Sequence, residues 1–189
     1  MRLWDALRGQ SRPKAAKLDQ LFALPSAALT LEASMGLRPT GSGSVCFRAA
    51  EGQAAVATQQ EASALVAADG GPVTESRVDE YGFTWLTVRT APEDTSSLVT
   101  DLHAVNSALE AQGFGSGLLC SILGFTSSTV PHAYLVYLYK QGTFYPFCPL
   151  ESGKRDTLTE RQIRDIVSSD LPIEADHSRW MPIWGIPGA

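Results

Sequence analysis

The sequence predicts an α+β fold, a mostly antiparallel sheet of about six or seven strands with helices packed on it. Three observations carry that expectation. His132 to Cys148, HAYLVYLYKQGTFYPFC, sets large groups on both sides of an extended chain that turns at Lys140-Gln141-Gly142-Thr143. A strand apolar on both sides needs cover on both sides. Leu98, Leu102, Val105 and Leu109 recur at spacings of four, three and four, which draws one apolar stripe along a helix. Strand-like segments also come in pairs joined by short turns, and strands so joined run antiparallel.

The chain has 189 residues, enough for one full-sized domain. A domain of that length hides roughly 70% of its unfolded surface and folds without a disulfide or a metal. A net charge of −5 argues against a general nucleic-acid binder, which needs a basic face. The charge is uneven. Residues 1–17 hold Arg2, Arg8, Arg12, Lys14 and Lys17 against Asp5, a surplus of four, so the remainder carries −9. Cys46, Cys120 and Cys148 sit in apolar, strand-like settings and are expected as buried reduced thiols. Their odd count, with no signal-peptide pattern, fits a reducing cytoplasm. No apolar run approaches the ~20 residues needed to span a bilayer.

Residues 1–17 form a basic amphipathic leader and connector, and 18–189 are expected as a single α+β domain. Leu18, Leu21, Phe22 and Leu24 suggest one or two helical turns ended by Pro25. Ala28 to Ser34 and Ser44 to Arg48 are expected as strands around a Gly41-Ser-Gly-Ser turn. Glu51 to Ala68 is expected as a helix ending at Asp69-Gly70-Gly71. Strands follow at Val73–Val78 and Phe83–Arg89, separated by Asp79-Glu80-Tyr81-Gly82. The striped helix runs from Thr95 to Gln112, with Asp94 or Thr95 as its cap and Gly113 past its end. Leu118–Phe125, Tyr134–Lys140 and Thr143–Phe147 complete the strands. The last helix opens with Thr157-Leu-Thr-Glu160, the spacing of a capping box, buries Ile163, Ile166 and Val167, and stops at Pro172. The implied unit is strand–strand–helix, used about three times with one extra strand and without the regular period of a solenoid.

Sites for chemistry are scarce. Gly113-Phe-Gly115-Ser-Gly117 follows a helix and precedes a strand, the wrong context for a dinucleotide loop, so it is read as a cap and turn. Asp101 and His103, at i and i+2, point to different faces of their helix, and His103 is read as a packing residue. No CxxC, HxH or HExxH spacing and no G-x-S-x-G elbow is present. His103, His132 and His177 are the only histidines, and Asp79-Glu80 and Glu93-Asp94 sit at turn and cap positions. No catalytic residue, cofactor or metal ligand is assigned.

Two segments are candidates for contact with a membrane or a partner. Arg2, Leu3, Trp4, Leu7 and Arg8 combine an apolar side with arginines, which suits an anionic bilayer surface. The stretch is under three turns long, too short to be helical alone, and docking on this body or on a partner is the alternative. Trp180 and Trp184 lie in the irregular apolar run Arg179-Trp-Met-Pro-Ile-Trp184-Gly-Ile-Pro-Gly-Ala, which is read either as a strap closing the core or as a docking patch.

Several long strings resemble one family. They are LDQLFALPSAALTLEASMGLRPTGSGSVCFR from Leu18, YGFTWLTVR from Tyr81, TDLHAVNSALEAQGFGSGLLCSILGF from Thr100, YLVYLYKQGTFYPF from Tyr134 and RWMPIWGIPGA from Arg179. Together with the opening MRLWDALRG they are similar to the actinobacterial PspA-associated protein family PspAB, over nearly the whole chain. The resemblance implies a cytoplasmic accessory of an envelope-stress system with a PspA-like partner. It carries over no catalytic residue. Asp101, His103 and Asn106 fall in the family-like string DLHAVN, where a core helix accounts for them equally well.

The expected function is therefore a non-enzymatic accessory or interaction protein that binds a protein partner near the inner membrane surface, with the leader touching anionic lipid and no role for nucleic acid. A small enzyme or ligand-binding protein with a cryptic site, or a secretion-chaperone-like module, are the alternatives.

Overall fold

A computed structural model describes residues 17–48, 55–68, 70–72 and 74–186. The leader residues Arg2, Leu3, Trp4, Leu7 and Arg8 lie outside the described residues, as do the expected helix start at Glu51 and the strand residue Val73.

A 3-10 turn at Leu18–Ala23 runs directly into α1, Leu24–Met35. Here two expectations fail. Pro25 does not end a helix but begins one, in the first turn where its missing N–H is not needed. Ala28 to Ser34 is helix, not strand. Leu29 and Leu31 look like period-two alternation, yet Leu29 is 71% exposed. The buried set is Leu24, Ala27, Ala28 and Leu31, which is helical spacing. Gly36, at φ 64°, closes the helix in the left-handed region that glycine enters freely.

The Gly41-Ser-Gly-Ser stretch is no turn either. It lies inside β1, an eleven-residue strand at Arg38–Arg48. The ladder with the neighbouring strand is irregular between Pro39 and Gly43, so the glycines and serines pass as a bulge. Gly43 also serves packing: a Cβ there would stand 2.9 Å from Leu102 Cδ1 of the helix above.

The other elements are α2 (Ala55–Ala68), β2 (Glu75–Val78), β3 (Phe83–Arg89), α3 (Thr95–Ala111), β4 (Leu118–Thr126), β5 (Ala133–Leu138), β6 (Thr143–Phe147) and α4 (Thr157–Val167). The strands form one six-stranded sheet in the order β2-β3-β1-β4-β5-β6, every pair antiparallel. This is the α+β fold the pattern predicts, although its opening unit is helix–strand where strand–strand was expected. Asp94 caps α3 by accepting from the Ser97 amide at 3.0 Å. The cap of α4 is Asp156, accepting from the Thr159 amide, one residue before the expected Thr157 box. That frees Glu160 from the cap, and α4 ends at Val167, short of Pro172.

Helices α1 to α4 cover one face of the sheet. Leu98, Leu102, Val105 and Leu109 of α3 pack there with Val45, Phe47, Leu86, Phe125 and Tyr137 from the strands. The other face carries Cys46, Trp85, Cys120, Ile122, Val136, Tyr145 and Phe147. Among the described residues no α-helix packs on it; chain beyond Glu174 does. The β6 edge is also closed, because Phe144 donates its amide to Pro172 O and accepts from the Glu174 amide, both at 2.8 Å.

Leu102→Ala should test the role of the α3 stripe. The side chain is fully buried over Gly43, so its loss should destabilise the protein by about 2–5 kcal/mol in denaturant unfolding.

Candidate interaction surface

Alternation along β1 sends Val45 and Phe47 to the helices and Ser44 and Cys46 to the opposite face. The registers then line up a row of four side chains across four neighbouring strands. Trp85 faces Cys46, Cys46 faces Cys120, and Cys120 faces Leu138. This row is the floor of a groove of about 450 Å³. Its far wall is the tail, through Ile183 and Trp184, and its rim carries Tyr81, Lys140 and Met181.

The rim is held by the β2–β3 turn. Asp79 accepts from the Tyr81 and Phe83 amides through Oδ1 and from Trp85 Nε1 through Oδ2, each at 2.9 Å. One carboxylate thus shapes the turn and fixes the indole in the groove floor. Tyr81 is left 59% exposed at its edge.

The tail is anchored by a buried polar cluster. Trp180 stacks on Tyr145 with centroids 5.9 Å apart, and its Nε1 donates to Glu174 O at 2.9 Å. Arg155 donates from Nε to Glu160 Oε1 at 2.9 Å and from its terminal nitrogens to the carbonyls of Trp180 and Pro146. Glu160, expected in a capping box, is instead buried and also accepts the Cys148 amide. The Arg155 guanidinium lies over the Phe147 ring at 5.2 Å, and Trp184 meets the same ring edge-on at 5.3 Å. Tyr145 OH donates to Met181 O at 2.9 Å. Trp180 is therefore buried in the strap, whereas Trp184 is half-buried and faces the groove. Met181 stands 61% exposed.

The DLHAVN residues serve separate contacts. His103 packs on the Phe22 ring, centroids 4.9 Å apart, with Nε2 3.6 Å from Asp19 Oδ1. Asn106 is fully buried, and Nδ2 donates to Leu102 O and Ser121 Oγ, tying α3 to β4. Asp101 is half-buried, and burial, then the Asp94 charge, pushes its carboxyl up. His132 is exposed, beside a smaller cavity with Tyr134 and Ile186. Among the described residues no group of three or more His, Cys, Asp and Glu side chains is placed to hold a metal ion.

The groove itself was missed in the sequence. Trp85, Cys46, Cys120 and Leu138 lie on four separate strands, and only the register makes them neighbours. Their shared face is visible in hindsight from alternation within each strand, but the order β3-β1-β4-β5 is not.

The family model of PspA associated protein B matches residues 1–188. The chain belongs to the PspAB family. Comparison with curated proteins and with solved structures gives no match. Among the described residues of this PspAB member, no helix is long and apolar enough to cross a membrane.

The anchoring of the strap should depend on pH. Burial pushes the Glu174 carboxyl up, but the Asp176 amide, the Thr143 hydroxyl and the Arg179 guanidinium outweigh it and hold the group below its ordinary value of 4.5. A carboxyl lowered by folding stabilises the fold above its ordinary value and stops doing so as the pH falls through its folded value. Tryptophan emission should therefore shift to the red on acidification below 4.5. Glu174→Gln should be less stable at neutral pH and should flatten that part of the acid transition.

Proposed function

We propose that this PspAB-family protein is a non-enzymatic accessory of a PspA-type envelope-stress system, and that the groove on the helix-free face docks its PspA-like partner. The observation that carries the reading is the half-covered face. Strands β4 to β6 lie under the strap, while Trp85 and Cys46 floor an open groove rimmed by exposed Tyr81 and Met181. Exposed apolar patches with a polar edge mark interaction sites, and aromatic and methionine side chains are the residues enriched there. The family name, PspA associated protein B, supports a PspA-like partner. In this reading Trp184 contributes to the groove wall and Trp180 holds the strap that forms it.

The leader has a separate task. Arg2 and Arg8 beside Leu3, Trp4 and Leu7 would bring a cytoplasmic protein to the anionic inner face of the membrane. A second reading is favoured by the size of the groove, since about 450 Å³ falls within the range of small-molecule sites. It would then take a small apolar ligand instead of a protein.

Pull-down of a PspA-like partner separates these readings. Tyr81→Ala and Met181→Asp change exposed rim residues and should leave thermal unfolding unaltered, yet weaken partner retention at least about tenfold, as loss of interface anchors does. Deleting residues 1–16 should abolish co-sedimentation with anionic vesicles and spare the pull-down. Full retention by both rim variants would remove the groove from the partner interface.

A further inference from the structure

The groove floor contains a pair of thiols that partner docking does not require. Cys46 and Cys120 are directly opposed across the β1–β4 ladder. Opposed residues on antiparallel strands have Cα atoms about 4.5–5.5 Å apart. A disulfide spans Cα separations of about 4.4–6.8 Å. The register alone thus brings the pair within bonding range. Both side chains leave the ladder on the helix-free face and belong to the same buried cluster. The ladder is also irregular at this point. Cys46 pairs with Cys120 but Phe47 pairs with Leu118, so Leu119 is an extra residue on β4 beside the pair. A bulge gives local freedom that a regular ladder lacks. Finally, both cysteines line the groove, which gives a small solute a way in. Cys148 belongs to the helix-side core and shares none of these features.

We propose that Cys46 and Cys120 form a thiol–disulfide modification site, oxidised by a small hydroperoxide that enters through the groove. Cys120, the more exposed of the two residues at 8% against 4%, attacks first. Its sulfur takes one oxygen of hydrogen peroxide as the O–O bond breaks, giving a sulfenic acid and one water. The Cys46 sulfur then attacks the Cys120 sulfur, the S–O bond breaks, and a second water leaves. Two thiols are oxidised to one disulfide by two electrons, and one peroxide is reduced to two waters. The neighbouring Cys120 side chain, together with burial, pushes the Cys46 thiol up, so the pair rests as a dithiol. A link here joins the two central strands beneath the groove, next to Trp85.

The test uses the full-length protein, folded, titrated with hydrogen peroxide, beside the same chain unfolded in denaturant. Of the three free thiols, two should be lost, with a mass decrease of two hydrogen atoms and restoration by dithiothreitol. Peptide mapping of the wild-type protein should join the segments containing Cys46 and Cys120, which decides the matter even if a variant folds poorly. Cys148→Ser should behave as wild type. Cys46→Ser should trap a dimedone-reactive sulfenic acid on Cys120, and Cys120→Ser should form neither product. Survival of all three thiols in the folded protein, at a dose that oxidises the unfolded chain, would overturn the assignment. So would a link through Cys148 or between two molecules. None of these readouts involves the partner, so the outcome is independent of the docking role of the groove.

Discussion

A sheet that is apolar on both faces has two surfaces to remove from water, and the α-helices of the described residues cover only one of them. The other face is covered by irregular chain after Glu174, laid across β4 to β6. That asymmetry explains much of the molecule. It accounts for a tail rich in tryptophan and proline that forms no long element, for the buried glutamates beneath it, and for the groove where its cover stops.

A strap without regular secondary structure leaves backbone carbonyls to satisfy. Arg155 answers that need, with its guanidinium reaching the carbonyls of Trp180 and Pro146 while Glu160 balances its charge. A buried ion pair is weak evidence for stability, because desolvation offsets much of the attraction, but its fixed geometry can set position. Here it sets where the tail crosses Phe147, and hence how much of the face stays open. The groove follows from how this clamp and the Asp79-pinned turn are spaced across the sheet.

Legibility in the sequence followed the range of the physics. The α3 stripe and the two-sided strands around Tyr134–Phe147 were readable because burial repeats along one segment at the period of its own element. α1 was misread because Leu29, exposed, mimicked alternation next to Leu31, and because Pro25 suits the start of a helix as well as its end. β1 was broken in two because Gly41-Ser-Gly-Ser looks like a turn, while a central strand with a bulge can absorb it. Thr157-Leu-Thr-Glu160 has the spacing of a capping box, but Asp156, one residue earlier, takes the Thr159 amide and begins the helix instead. The errors in α1 and β1 arose where contacts distant in sequence decided between two locally acceptable states; the one at Glu160 arose between two adjacent caps.

The sequence by itself determined the class of fold, the long amphipathic helix, the buried character of the cysteines and the apolar nature of the tail, since all of these rest on composition and local period. Only the tertiary structure decided that the tail crosses the helix-free face, that Trp180 turns inward while Trp184 faces a groove, and that Trp85, Cys46, Cys120 and Leu138 stand in one row. The reason is physical: strand order and register are set by contacts between segments tens of residues apart, and no periodicity within a single segment encodes them.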